Sequence, residues 1–541
     1  MPRHWIDELA DNLYEKLLKR KKEVYIFNGG LSVSGLQHVG RLRGEIIIPE
    51  VLRRILSKKG LKIKQYITLY TQDAWKGKKA QLSAFPNHKE AEKYKGWPLI
   101  NVPDPHGCHK NWVEHYWEDF GPYLEEFTDG KIEVVTTTDL YRGKLLEFAL
   151  KTLEIREKVR KTINKYRGRK PYPENWIPFE SICGKCGRID STEALEIIDH
   201  DKVRYRCRNC GYIGVTDLSN GKLNWRIEWV GVWWSLGVDF EPYGKDHATP
   251  GGSRDSCVDL AVNVYGIEPP EGIPYEWVAM RTKDKKILDM TSSGFIGFTP
   301  REWLEVAHPH IYRFIVLRTP PMKKIIVSLY EIPHYYSQYY KAERIYYGLE
   351  KAKNEEEEVL LKRSYELSYP KGEPPKSPPE QVSYTHLAIL SQILPRELWR
   401  TEGIKRLINT KIIPENPSQY GLQRILETLE KANTWVEKYA PENMKFQLLP
   451  EPKPEIVKTI PEKHRIILRK MKELLEQIDE WNDENIKNAM IAATKDLTMN
   501  ERKMLYENFY KLIIGKTSGP RAAPLLALLG KENSLKYFKY V

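Results

Sequence analysis

The chain has no run of eighteen or more apolar residues, so no segment reads as a membrane span. Its first residues, Met1-Pro2-Arg3-His4-Trp5-Ile6-Asp7-Glu8, lack the basic-then-apolar order of a secretory leader, and a cytoplasmic protein is expected. Cysteine is scarce, six residues in 541, and four of the six form two Cys-x-x-Cys pairs. In a long chain without a leader, that usage favours metal binding over disulfides. No internal repeat is visible. What is present is a globular composition, 41% hydrophobic and 29% charged. At about 150 residues per domain the length implies three or four domains. The 86 basic residues exceed the 73 acidic ones, a net +13, which suits a polyanionic partner.

Residues 5–22 carry apolar positions at helical spacing. Glu23–Phe27 alternates as a short strand, a loop with Gly29, Gly30 and Gly35 follows, Leu42–Leu56 reads as a helix kinked at Pro49, and Leu61–Leu69 as a second strand. Strand, glycine loop, helix, strand opens a parallel α/β sheet, and such glycine loops let backbone amides approach a phosphate. Residues 183–218 interrupt the pattern as a small metal-built insert. The α/β signal returns at Trp225–Phe240 and Pro274–Met280, and from Pro300 helices dominate. Tyr369–Pro379 reads as a proline-rich connection, 418–438 and 463–479 as helices, and Gly515–Glu532 as a glycine- and proline-punctuated segment.

Two cysteine knuckles, Cys183-Gly-Lys-Cys186 and Cys207-Arg-Asn-Cys210, lie 20 residues apart, each followed by glycine. That spacing can enclose a tetrahedral zinc, and four thiolates leave no open position, so the role is structural. Asp104, Cys108, His109 and His115 offer a second set of four ligands, on a loop that otherwise simply opens a helix over 110–118. Cys257 reads as a lone structural thiol.

In SGLQHVGRLRGE (34–45), His38 can donate to a phosphate oxygen and Gly40 lets a nucleotide approach the backbone. This stretch is similar to the His-x-Gly-His-like motif of class I aminoacyl-tRNA synthetases, with Arg41 in its last place, where the lysyl members usually carry Asn. EPYGKDHATPGGSRDSC (241–257) resembles the Gly-Lys-Asp-His…Gly-Gly-Ser block of the class I lysyl-tRNA synthetases of archaeal type. WRIEW (225–229) resembles their Trp-Arg-x-Asp-Trp stretch, with Glu228 in the aspartate place. Further similar segments spread the resemblance from Trp5 to Glu532.

The resemblance implies a Rossmann-like α/β catalytic domain over 1–315, with a zinc-binding insertion over 100–220. A helical stem-contact region and linker (316–380) and an all-α anticodon-binding domain (381–541) would follow. It implies lysine activation with ATP and transfer to tRNA(Lys), with Mg²⁺ accompanying ATP and one or two structural Zn²⁺. Gly30, Ser32, Trp225, Asp246, His247 and Tyr275 would form the lysine pocket; a lysine side chain wants carboxylate or hydroxyl acceptors and an aromatic wall. Ser32 stands where relatives commonly have threonine.

The same resemblance exposes a departure. Where the lysyl members carry a Lys-Met-Ser-Ser-Ser-Lys-Gly-like loop, this chain reads Asp289-Met290-Thr291-Ser292-Ser293-Gly294. Both motif lysines, which would stabilise charge building on the triphosphate, are absent. Neighbouring Lys283, Lys285 and Lys286, with Arg281, are expected to replace them; the alternative is a non-catalytic tRNA- or RNA-binding relative. Lys202, Arg204, Arg206 and Arg208 of the insert are candidates for the acceptor stem. The helical half is expected to meet tRNA, while most of Tyr335, Tyr336, Tyr339, Tyr340, Tyr346 and Tyr347 read as core.

Overall fold

Strands β1 (Tyr25–Leu31), β2 (Ile63–Leu69) and β3 (Ile132–Thr136) run parallel in the order β1-β2-β3. On the other edge of β1, Phe240 bridges Phe27 and Glu271 bridges Phe240, both in parallel sense. Backbone amides seal these pairings: Asp239 N–H donates to the Ile26 carbonyl at 2.7 Å and Glu271 N–H to the Asp239 carbonyl at 2.9 Å. The order across the sheet is thus β3, β2, β1, the 239–241 segment, the 271–273 segment. The strand order reverses at β1, and in such sheets a crevice opens beyond the strand ends at that point.

The computed structural model describes residues 2–168 and 170–541. The chain splits into two compact units. One contains everything up to Trp303, with Tyr312–Val327 and Ala352–Glu373; the other contains Leu304–Ile311, Ser328–Lys351 and Pro374–Val541.

In the first unit β1 extends past the expected Phe27 into the glycines. Gly29 is needed there because a Cβ on it would lie 2.5 Å from the Glu45 carbonyl oxygen. Pro49 does not kink a long helix. It sits in the first turn of the helix Ile48–Lys58, and a π-helical turn, Arg43–Ile47, precedes it. Proline has no N–H to return to the Glu45 carbonyl, so the turn widens, and Ile48 N–H reaches back to Arg43. A buried arginine ties this unit together. Arg313, fully buried, pairs with Glu50 at 2.9 Å and donates to the carbonyls of Phe127, Leu367 and Ser368. The insert is a three-stranded antiparallel sheet of Thr192–Asp199, Lys202–Cys207 and Ile213–Asp217.

The second unit is helical. The helices Gln419–Lys438 and Glu462–Glu476 fall where the periodicity placed them. Gly515–Glu532 holds a helix, Ala522–Leu529, whose residues from Leu525 onward are all buried; an element apolar on every side has no periodicity to read. Tyr335, Tyr336, Tyr339 and Tyr340 are buried, as core residues should be. Arg424 makes a buried pair with Glu343 at 2.8 Å. No helix among the described residues is long and apolar enough to cross a membrane.

Candidate active site

A cavity of about 490 Å³ opens where the sheet order reverses. Its floor is the end of β1, Gly30 and Ser32. Its walls are Glu241–Gly244, Tyr275, Trp225, Trp229, Asp246 and His247, with His38, Gly40, Arg41 and Met290–Ser293 at one side. Of the sequence candidates for the catalytic and lysine sites, Arg281, Lys283, Lys285 and Lys286 do not line it.

The π-helical turn aims Glu45 into this space. Arg43, fully buried, donates to the carbonyls of Glu276 at 2.7 Å and of Pro320 and Lys323 at 2.8 Å, which fixes the turn against the strand carrying Tyr275. Gly44 makes the contact possible, since a Cβ there would lie 2.2 Å from the Tyr275 ring. The Tyr275 hydroxyl donates to Glu45 Oε1, and Glu45 Oε2 is buried with no hydrogen-bond partner. Burial raises the Glu45 carboxyl above its ordinary range, against the pull of Arg41 and the Tyr275 hydroxyl. Glu241 is also buried, but both its oxygens are occupied, by Asn28 Nδ2 at 2.8 Å and Trp229 Nε1 at 2.6 Å.

Asp73 and Glu228 form a second acidic pole on the cavity wall. Buried Lys222 bridges them, 2.7 Å from Asp73 Oδ1 and 2.8 Å from Glu228 Oε2. His247, its Nδ1 2.8 Å from Ser253 Oγ, lies between the rings of Trp225 and Trp229, at centroid distances of 6.1 and 5.2 Å. Burial lowers the His247 pKa and Asp246 opposes the shift.

On the opposite side, burial and then the Arg41 charge push His38 down to about 3, so its imidazole is neutral, and its Nδ1 has no hydrogen-bond partner. A neutral ring keeps one N–H to offer a phosphate oxygen. Arg41 Nε donates to Ser292 Oγ at 2.9 Å. The loop after Asp289 closes as a tight turn, Thr291 and Ile296 exchanging backbone hydrogen bonds at 2.9 and 3.1 Å. Lys285, in a left-handed conformation, and Lys286, paired with Asp284 at 2.8 Å, sit at the tip of the hairpin between Val278–Arg281 and Ile287–Asp289. The structure does not bring them, or Lys283, to the cavity lining. Two other lysines reach the loop. Lys78 Nζ donates to Ser293 Oγ at 2.8 Å, and Lys324 pairs with Asp289 at 2.5 Å and neutralises it.

Sequence reasoning missed Glu45, Asp73, Lys78, Lys222 and Glu241. Glu45 had one signal: it is the single acid between Gly44 and the apolar run Ile46–Ile48. Lys78 had none, because it meets Ser293 across 215 positions.

Both metal sets are assembled. Cys183 and Cys210 Sγ lie 3.6 Å apart, as do Cys186 and Cys207 Sγ. Sulfur atoms about 2.3 Å from a tetrahedral zinc would stand at nearly that separation. Gly187 and Gly211, at φ +74° and +71°, make the knuckle turns. In the second set Cys108 Sγ is 3.1 Å from His109 Nδ1 and 3.3 Å from His115 Nδ1, which is 3.1 Å from Asp104 Oδ1. All four ligand atoms of each set lie within 4.8 Å of one another, so both donor sets fit a zinc ion.

The family model described as "tRNA synthetases class I (K)" matches residues 3–371, and one described as "Anticodon binding domain" matches 410–540. A protein of Aeropyrum pernix named lysine–tRNA ligase is 54% identical, covering 98% of this chain and 96% of its own. Lysine–tRNA ligases of Pyrococcus horikoshii and Methanosphaera stadtmanae are 34% and 31% identical; the first alignment covers 98% of both chains, the second 100% of this chain and 99% of the relative.

Proposed function

The chain belongs to the class I lysyl-tRNA synthetases, and from that premise and the cavity we propose how its residues carry out lysine–tRNA ligation. The protein is a lysine–tRNA ligase: it activates lysine with ATP and transfers it to tRNA(Lys). The non-catalytic alternative is not favoured, since full-length relatives on this scale are ligases.

The observation that carries the substrate assignment is the buried Glu45–Tyr275 pair with one free carboxylate oxygen. It supplies an anionic acceptor for the lysine ε-ammonium at the end of an aromatic-walled cavity. The Asp73–Glu228 pole suits the α-ammonium. A substrate with an ammonium at each end fits two separate acidic poles; glutamate would meet a carboxylate where it needs a cation. With lysine so held, its own carboxylate attacks the α-phosphorus, forming lysyl-adenylate and releasing pyrophosphate, and a tRNA ribose hydroxyl then displaces AMP. No side chain need act as nucleophile, so the catalytic contribution is positioning and charge stabilisation. His38 and the Gly40 backbone hold phosphate oxygens, and Arg41 and Lys78 supply positive charge at the 290–293 loop. Mg²⁺ brought in with ATP would neutralise charge on the triphosphate. Lysine-dependent ATP–pyrophosphate exchange, with glutamate compared and with tRNA present, tests the assignment. Exchange with glutamate but not lysine would reverse it.

Replacing Lys78 by alanine should slow exchange about tenfold or more at saturating substrates, since it removes a cation beside the developing phosphate charge. The triple alanine change at Lys283, Lys285 and Lys286 is the comparison. A larger loss in the triple variant would return the role to the hairpin.

Cys183, Cys186, Cys207 and Cys210 would hold one Zn²⁺, and Asp104, Cys108, His109 and His115 a second; each would cross-link a segment with little core of its own. Metal analysis should find two zinc ions per chain, falling to one in Cys207→Ser and to one in His115→Ala. Metal-free protein with unchanged thermal stability would refute both sites.

A further inference from the structure

The fifteen residues 156–170 contain eight basic side chains and one acidic one, a net +7 against +13 for the whole chain. More than half of the net charge thus sits in one short stretch of the first unit. Part of it is the helix Arg156–Asn164, which buries Val159, Thr162 and Ile163. Lys158, Lys161 and Lys165 follow one another at i, i+3 and i+7, so they form a stripe about 10 Å long on the exposed side. Arg160 is paired with Glu157 and Lys165 with Asp259. Lys158, Lys161 and Lys170 are exposed, and among the described residues they have no carboxylate within ion-pair distance.

The loop that follows is a stacked platform. The Arg167 guanidinium lies 3.7 Å above the Tyr172 ring, and Tyr172 stacks on Trp176 at 3.7 Å with 2° between their planes. Helix and platform are joined, because Arg160 and Asn164 donate to the Tyr172 carbonyl. The platform is joined to the cavity as well. Asn224 Nδ2 donates to the Tyr172 hydroxyl at 3.1 Å, and the next residue, Trp225, is the half-exposed wall of the cavity mouth.

We propose that this surface carries the single-stranded acceptor end of tRNA, its phosphates lying along Lys158, Lys161 and Lys170 so that the terminal ribose enters past Trp225. The inference rests on the ligase reading, which requires a tRNA ribose hydroxyl inside the cavity. Unpaired cations on the helix and on the loop that follows it, beside a rigid aromatic–arginine stack, are the chemistry of a backbone-tracking, base-stacking RNA groove. An acidic protein partner would need the cations but not the stack.

The test is the triple variant Lys158→Ala, Lys161→Ala, Lys170→Ala, with filter binding of an unmodified tRNA(Lys) transcript over a range of salt. Affinity at about 0.1 M salt should fall about tenfold or more, and the slope of log K against log salt should shrink by roughly two. Lysine-dependent exchange at saturating tRNA should keep its rate and lysine KM within about twofold of the parent, and the corresponding triple arginine variant should restore binding. Unchanged affinity and slope would overturn the proposal. So would a loss of equal size for a transcript lacking its single-stranded 3′ end, which would put the contact elsewhere on the RNA. If the parent supports no lysine-dependent exchange while the lysines still govern binding of the 3′ end, the ligase reading fails and the binding surface stands.

Discussion

Glu45→Gln should raise the lysine KM about 10²- to 10³-fold while the KM for ATP stays near that of the parent. Glutamine keeps the shape and can still accept from the Tyr275 hydroxyl, so what is lost is the negative charge facing a buried ammonium. Removing one member of such a pair leaves the other charge in a poorly solvated site, at about 2–5 kcal/mol. Glu241 cannot substitute, because Asn28 and Trp229 occupy both its oxygens. The measurement is lysine-dependent exchange at saturating ATP and tRNA, and a lysine KM within threefold of the parent would dismiss Glu45 as the acceptor. The pH dependence supplies a second check. In the free protein burial raises the Glu45 pKa, so the carboxyl takes up a proton at higher pH than an exposed glutamate, which does so near about 4.3. A bound ammonium favours the ionised form. Lysine binding therefore releases a proton and strengthens as pH rises through the free-protein pKa, and the lysine KM climbs as pH falls through it. The glutamine variant should lack that limb.

Lys222→Met should destabilise the first unit by about 3–5 kcal/mol, the cost of removing one partner from a buried charge cluster. Burial alone would lower the Lys222 pKa, but Asp73, Glu228 and Glu180 outweigh it and hold the ammonium charged. Without it, Asp73 and Glu228 face each other and Glu180, itself pushed up to about 7 by burial, across a space with no cation. The sign with pH follows. The raised Lys222 pKa means its contribution is fully present below the unfolded value, near about 10.4, and is lost only as pH rises through the higher folded value. Across the neutral range the parent thus keeps the whole effect. The variant's deficit should instead shrink as pH falls and the orphaned carboxyls protonate. Denaturant midpoints for the parent and for Lys222→Met at pH 5 and 8 would show this. Combining Lys222→Met with Glu228→Gln should recover part of the loss, because the two residues are in direct contact. Equal midpoints for parent and Lys222→Met at both pH values would mean that solvent reaches the cluster and does the work of the lysine.

What the sequence alone determined here was local. The knuckles at Cys183–Cys186 and Cys207–Cys210 were legible because each pair closes within three residues on a following glycine. The helices Gln419–Lys438 and Glu462–Glu476 were legible because one apolar face repeats at the helical period. His38, Gly40 and the 241–257 block were legible as motifs, and the cavity gathers His38, Gly40, Glu241–Gly244, Asp246 and His247. Tertiary structure decided the rest. Phe240 and Glu271 complete the sheet through single bridges that leave no strand-length pattern, yet they place the order reversal that opens the cavity. Glu45 faces that cavity because Pro49 withholds one amide and Arg43 clamps the widened turn to carbonyls more than 200 positions away. The cations that touch the Asp289–Gly294 loop, Lys78, Arg41 and Lys324, come from segments distant in sequence. Periodicity and spacing report the forces between near neighbours in the chain. A charge acts through distance in space, and which charges share a pocket is fixed only when distant segments pack.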